Sequence, residues 1–165
     1  MSSAADPAVA FAEHDHTRCA TEALETVARL SKERGLRFTP LRRRVLEILL
    51  EEHRAMGAYD ILDRLKAEGM GSKPPIAYRT LDFLVAEGFA HKIQRLNAFL
   101  ACSHPGQGHR PIFLICRVCR VVAEAPEGAV AAALEETADR FGFTIERNVV
   151  EAEGLCPRCA AAGLG

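Results

Sequence analysis

Cys116-Arg-Val-Cys119 and Cys156-Pro-Arg-Cys159 are two CxxC pairs well separated along the chain. Each follows a segment of strand character, so the four thiolates can converge on one tetrahedral centre. A closed shell of soft sulfur ligands suits zinc, and such a site contributes folding free energy rather than catalysis. The alternative is two unrelated pairs of buried or redox-active thiols. Its redox form needs a thioredoxin-like βαβ context around one pair, and the sequence lacks one. Six cysteines follow a start, MSSAADPAVA, that has neither the basic residues nor the apolar centre of a secretory signal. The expected compartment is therefore the reducing cytoplasm, where paired thiolates hold metal more often than they form disulfides.

A second group offers mixed chemistry. His91, Cys102, His109 and Glu124 supply nitrogen, sulfur, nitrogen and oxygen, a plausible zinc shell. His104 stands in the same segment as His109 and can replace it. Two of the four belong to a wing-like hairpin and two to the link and the C-terminal part, so one ion there would fix how the two halves are oriented. The residues alone slightly favour solvated strand positions for His91 and Glu124 and a buried small hydrophobe at Cys102. The leader adds His14, His16 and Cys19, read as a polar tail, with an auxiliary metal contact as the other possibility.

These ligands need elements to position them. Residues 1–19 are small, polar and unpatterned and read as a flexible leader. A helix is expected from about residue 20, with Leu24, Val27 and Leu30 on one face and Gly35 as its stop. Thr39-Pro40 starts a second helix, the hydroxyl capping free amides and proline filling the first helical position. It runs to about residue 52, with Arg42, Arg43 and Arg44 near its start. A third helix spans about 58–68. Gly71-Ser72-Lys73-Pro74-Pro75 is expected to be a turn, and a fourth helix spans 76–87. Strands over 89–94 and 98–102 make a hairpin wing, which completes the winged-helix order. After a Gly/Pro/His-rich hinge at 103–111, strands at 112–116 and 121–125, a helix over 127–141 and a long strand over 143–153 make a small α/β unit spanning 112–165. That unit is too small for a large core and depends on metal and on a partner subunit.

The fold class expected is thus α+β: an N-terminal winged-helix domain over 20–102 and a small C-terminal α/β dimerisation domain with a four-cysteine zinc site. The formal net charge of −1 conceals an asymmetry, because residues 20–95 carry 14 Lys+Arg against 11 Asp+Glu and residues 96–165 carry 6 against 8. The phosphate-compatible surface therefore falls in the first structured domain. No apolar run has the length of a membrane span.

Thr39-Pro-Leu-Arg42, Ala58-Tyr-Asp60, Lys73-Pro-Pro-Ile-Ala-Tyr-Arg79-Thr-Leu-Asp-Phe-Leu84, Gly88-Phe-Ala-His91-Lys92 and the paired CxxC motifs, in this order and spacing, resemble the ferric uptake regulator family, in its zinc uptake branch. The resemblance covers about residues 20–160. It implies a homodimeric winged-helix repressor with a structural zinc site at Cys116, Cys119, Cys156 and Cys159 and a sensory zinc site at His91, Cys102, His109 and Glu124, two sites per subunit. Iron-sensing members usually carry a dense His-His-Asp-His stretch before the first CxxC. Here Ser103-His-Pro-Gly-Gln-Gly-His109 stands in its place, and with the soft Cys102 this favours zinc over iron.

In that frame the fourth helix enters the major groove of double-stranded DNA, with Tyr78 and Arg79 nearest the bases and Arg79 suited to guanine O6 and N7. Tyr59 reaches a thymine methyl or a phosphate, while Arg42, Arg43, Lys73 and Lys92 serve the backbone. The plainer alternatives are a half-buried helix residue at Tyr78 and a solvated face for the arginine run. A dimer reads an inverted-repeat operator. The expected function is a zinc-responsive repressor of zinc uptake genes, with zinc as co-repressor. A relative sensing iron, manganese or peroxide, or a zinc-storage or transfer protein, are the alternatives. An enzyme is not expected. Cys-Pro-Arg-Cys matches a zinc deaminase signature only in part, since the preceding proline and upstream His-x-Glu are missing, and no His-Glu-x-x-His, phosphate loop or dinucleotide fingerprint occurs.

Overall fold

Helix α1, His16–Glu33, lies against α2, Pro40–Leu50, which in turn packs on α3, Ala58–Ala67, and α4, Pro74–Ala86. The computed structural model describes residues 11, 16–51, 54–71 and 73–165. Val27, Val45, Leu46, Ile48, Leu49, Ile61, Leu65, Leu81 and Leu84 form the N-terminal core, each essentially inaccessible. They recur at helical spacing on the faces the sequence marks as apolar.

Local chemistry sets the boundaries. Thr39 accepts a hydrogen bond from the Arg42 backbone N–H at 3.3 Å, and Pro40 opens α2 as expected. Helix α1 begins at His16, earlier than its apolar pattern, so His16 and Cys19 belong to the helix rather than to the leader; His14 lies outside the described residues. Helix α4 begins at Pro74, not after the double proline. Prolines at the first two helical positions lose no hydrogen bond and are already set near helical φ, so the expected turn over 71–75 ends before Pro74.

The wing is an antiparallel hairpin of β1, Ala90–Ile93, and β2, Ala98–Ala101, in register His91 to Leu100. The C-terminal sheet has the order β4-β3-β5, from β3, Ile112–Cys116, β4, Val122–Ala125, and β5, Val150–Gly154. Helix α5, Gly128–Arg140, precedes β5, which runs parallel to β3 from Ile112/Val150 to Cys116/Gly154. The long strand expected over 143–153 is therefore shortened at its start: only 150–154 find pairing positions on the five-residue β3. A short helix not anticipated from sequence, α6, Pro157–Ala161, follows Cys156.

Three features join the halves. Ile93 and Leu100 of the wing share a core with Phe113, Ile115 and Val122 of the C-terminal sheet. The segment after α2 bridges both, Met56 pairing with Phe99 and Arg54 with Val121. The hinge passes so close to α1 that a Cβ on Gly106, at φ +83°, would collide with the Leu30 side chain.

Candidate metal centres and nucleic-acid interface

The turn that closes β3 onto β4 carries Cys116 and Cys119, and the end of β5 delivers Cys156 at the N-cap of α6, one turn before Cys159. One sulfur from each lies within 4.8 Å of the other three, and Cys119 Sγ is 3.7 Å from Cys156 Sγ. Four sulfurs at about 2.3 Å from a tetrahedral centre stand about 3.8 Å apart, so the spacing fits a zinc shell. The electrostatics fit as well. Burial works to raise the Cys116 thiol, but the backbone N–H groups of Cys119, Cys156 and Val118 prevail and bring it down to about 6. Burial and the neighbouring sulfurs push Cys159 up to about 12. Four thiolates cannot share this volume without a cation among them.

The second group assembles across the hinge. His91 projects from β1, Cys102 follows β2, His109 lies in the hinge and Glu124 is on β4, and their ligand atoms all lie within 4.8 Å of one another. Cys102 Sγ is 3.8 Å from His109 Nε2 and 4.0 Å from Glu124 Oε1, and His109 Nε2 is 3.1 Å from the same oxygen. Glu124 Oε2 accepts from the Ser103 backbone N–H at 2.5 Å, which aims the other oxygen at the cluster. His104 is outside the group and meets the His109 ring edge-on, with centroids 5.8 Å apart.

Two observations bear on whether this cluster suits a cation. His91 Nε2 is buried and lies 2.8 Å from Glu124 Oε1, yet makes no hydrogen bond of acceptable geometry. A buried nitrogen facing a carboxylate without an N–H between them is the arrangement a metal ion resolves. The side-chain charges agree. Burial alone would raise the Glu124 carboxyl, but the hydrogen bond with His109, the close approach of the His91 ring and the Ser103 contact hold it well below the usual carboxylate range. Burial, then the Glu124 charge, pushes the Cys102 thiol up to about 12, against a hydrogen bond from the His104 backbone. The Glu124 hydrogen bond raises His109. Sequence reasoning missed Phe113, whose ring packs against His91 in a T-shaped arrangement with centroids 5.2 Å apart. Its place opposite Glu124 in the β3-β4 register is visible only in the folded sheet. Cys19, on α1, is in neither cluster.

The candidate DNA face is on α3 and α4. Helix α4 buries Ala77, Thr80, Leu81 and Leu84 and turns Tyr78 and Arg79 outward. Tyr59, on the first turn of α3, is 66% exposed and Tyr78 is 39% exposed, so neither is a core residue. Lys73 is exposed at the N-cap of α4. Lys73 and Arg79 make no ion pair among the described residues. The arginines of α2 are largely engaged: Arg43 pairs with Glu47 at 3.0 Å, and Arg44 with Glu47, Glu51 and Glu68. Arg42 donates to the Arg37 carbonyl and stacks on Phe83 at 3.5 Å, a position that braces α2 against α4. Lys92 lies 5.9 Å from the Phe99 ring centroid. Sequence reasoning missed Arg37, an exposed loop residue that lines a notch with Arg42, Arg79 and Ile76 and has no ion pair among the described residues. Only the meeting of α2 and α4 reveals it.

No profile of a known protein family matches the chain. It is 36% identical over 139 residues to the zinc uptake regulation protein of Escherichia coli (strain K12), covering 84% of this chain and 81% of that protein. A solved zinc uptake regulator in complex with zinc and DNA superposes with a TM-score of 0.82 at 34% identity, covering 88% of this chain and 98% of that one. The holo form of XcZur gives 0.76 at 40% identity over 84% of this chain and 96% of that one. Its apo form gives 0.52 at 39% identity over 87% and 99%.

Proposed function

The chain belongs to the zinc uptake regulators of the ferric uptake regulator family, and from that premise we propose that it is a zinc-responsive, DNA-binding transcriptional repressor in which zinc is the co-repressor of zinc uptake genes. One observation carries the reading. The ligand atoms of His91 and Cys102, held by the wing, and of His109 and Glu124, held by the hinge and β4, meet within 4.8 Å.

When bound, zinc supplies the divalent charge that lets sulfur, imidazole and carboxylate share one shell. The chain's residues do the rest. Glu124, anchored by Ser103, and His109 hold the C-terminal half of the cluster, and His91 and Cys102 draw the wing to it. The winged-helix domain is thereby oriented relative to the C-terminal sheet. If the open arrangement dominates without metal, selecting the closed one raises apparent operator affinity by the inverse of its initial population. The comparison with XcZur supports this, since at nearly equal identity the present arrangement lies much nearer the holo form than the apo form.

The second cluster, Cys116, Cys119, Cys156 and Cys159, serves as a structural staple, giving two zinc ions per subunit. Arg79 and Tyr78 read bases, Tyr59, Lys73 and Arg37 contact the strand, and Arg42 positions α4. The protein acts as a homodimer on an inverted-repeat operator, in the cytoplasm and without an enzymatic step. Exposed Phe141 and Phe143, after α5, and Val149 and Leu155, flanking β5, support pairing of the C-terminal domains. Among the described residues no helix is long and apolar enough to cross a membrane.

Gel shift on an AT-rich inverted repeat at buffered free zinc tests the reading. Wild-type binding is expected to rise with zinc, Arg79→Ala to bind more weakly at every zinc level, and His91→Ala to lose mainly the zinc response. Operator binding that ignores zinc in the wild type would contradict it.

A further inference from the structure

The wing does not stand free of the C-terminal domain. At its turn, Glu151 of β5 accepts hydrogen bonds from two consecutive backbone N–H groups, Gln94 to Oε1 at 2.6 Å and Arg95 to Oε2 at 2.8 Å. Two residues along the same strand, Glu153 accepts from Arg95 Nε at 2.8 Å and Nη2 at 3.1 Å, a two-pronged pairing. Beneath these contacts lies the shared core of Ile93, Leu100, Phe113, Ile115 and Val122. None of these residues belongs to either candidate metal cluster.

We infer that Arg95, Glu151 and Glu153 form a metal-independent latch between the wing and the C-terminal sheet, positioning residues that set how much zinc the mixed cluster needs to reach the DNA-binding arrangement. This rests on the proposed zinc response and deepens it. A carboxylate that accepts from two consecutive backbone N–H groups of a turn, and a guanidinium paired through its Nε–Nη2 edge with both oxygens of a carboxylate, are the stronger kinds of charge-assisted hydrogen bond. All three contacts exist only when the domains are closed, so they add to the closed population whatever the metal does. The latch also occupies Arg95, which at a wing tip would otherwise be available to a phosphate. Because β5 is a sheet edge, the latch ties the DNA-reading half directly to that edge.

The test uses the full chain. Operator binding is titrated at buffered free zinc for wild type, Arg95→Ala, Glu153→Gln and the exchanged pair Arg95→Glu with Glu153→Arg. Each single variant is expected to raise the zinc midpoint by about two- to fivefold while leaving affinity at saturating zinc unchanged, as partly exposed pairs of this kind allow. The exchanged pair is expected to recover the midpoint. If Arg95→Ala weakens binding at saturating zinc while Glu153→Gln does not, Arg95 contacts DNA and the latch is overturned. Amide hydrogen exchange at Gln94 and Arg95, with the mixed cluster stripped by a weak chelator, supplies an arm independent of zinc. Protection lost in Glu151→Ala supports the latch, and equal exchange in both proteins overturns it. Wild-type operator binding that ignores zinc, together with intact protection, would overturn the zinc response and the latch's part in it, leaving only an interdomain brace.

Discussion

Replacing Glu124 by glutamine keeps the side chain's volume and removes its charge from the centre of the mixed cluster. The glutamine oxygen can still accept from the Ser103 N–H, so the zinc-free fold keeps that anchor and loses charge-assisted strength worth about 1.5–3 kcal/mol per bond at most. Zinc binding should change as well. The carboxylate side chain is 4% exposed and sits 2.8 Å from His91 Nε2 and 3.1 Å from His109 Nε2, so no water can take over its charge at that point. Loss of a group that merely orients a ligand costs about 10- to 100-fold in metal affinity, and loss of the ligand itself should cost at least that. The midpoint of the zinc titration should therefore rise by at least about tenfold, or about 1.4 kcal/mol. Competition against a chelator of known affinity reads this directly. Zinc content after dialysis should fall from two ions per chain to one, because the four-cysteine cluster is untouched. A glutamine variant that retains two ions with a midpoint within about twofold of wild type would refute the assignment of Glu124 as a ligand and the charge argument behind it.

Other outcomes follow from the same geometry. Arg79→Ala should weaken operator binding at saturating zinc by about 1–3 kcal/mol, the worth of one two-pronged base contact. Arg43→Ala, whose guanidinium is already paired with Glu47, should leave it nearly unchanged, and fluorescence anisotropy separates the two. The zinc response should weaken as pH falls. The Glu124 hydrogen bond raises His109 above its ordinary value of 6.5, so the ring takes up a proton, and loses its free lone pair, at a higher pH than an isolated imidazole. The same pair stabilises the zinc-free fold at low pH, and that contribution is lost as pH rises through the raised value. Zinc titrations at several pH values should show the midpoint climbing below neutrality, and a flat profile would remove His109 from the shell. Cys116→Ser should forfeit much of the about 10–16 kcal/mol that a structural zinc shell contributes, unfolding β3 to α6 while the four helices persist. Circular dichroism melts and zinc content would show this, and a native-like melt with two zinc ions would exclude the staple.

The chain announces its metal clusters more clearly than its surfaces. Both CxxC pairs can be picked out by type and spacing, because soft-donor chemistry depends on residue identity alone, whereas the four mixed ligands stand out as a set only through the family resemblance. Helix boundaries that rest on local rules, such as Thr39-Pro40, are equally legible. What depends on partners distant in sequence is not. Phe143, Ile145 and Val149 alternate like a strand, but β3 offers pairing positions only opposite 150–154, so the segment before them stays irregular. The arginine run looks like a uniform phosphate-binding face, whereas the fold places Phe83 under Arg42 and carboxylates beside Arg43 and Arg44. Arg37 and the Arg95 latch are invisible for the same reason: their meaning comes from α4 and β5, more than 30 residues away in one case and more than 50 in the other. Only the family resemblance weighed the mixed ligands against a reading as ordinary strand residues, and it could not show that the unlike donors meet.

Solution X-ray scattering separates an open from a closed arrangement, on protein whose four-cysteine cluster is filled while zinc is titrated into the mixed cluster. One saturable transition to the closed arrangement is expected, absent in Cys102→Ser and coincident with the gain in operator affinity. Scattering that stays unchanged while affinity rises would contradict the clamp and require zinc to act at the DNA surface itself.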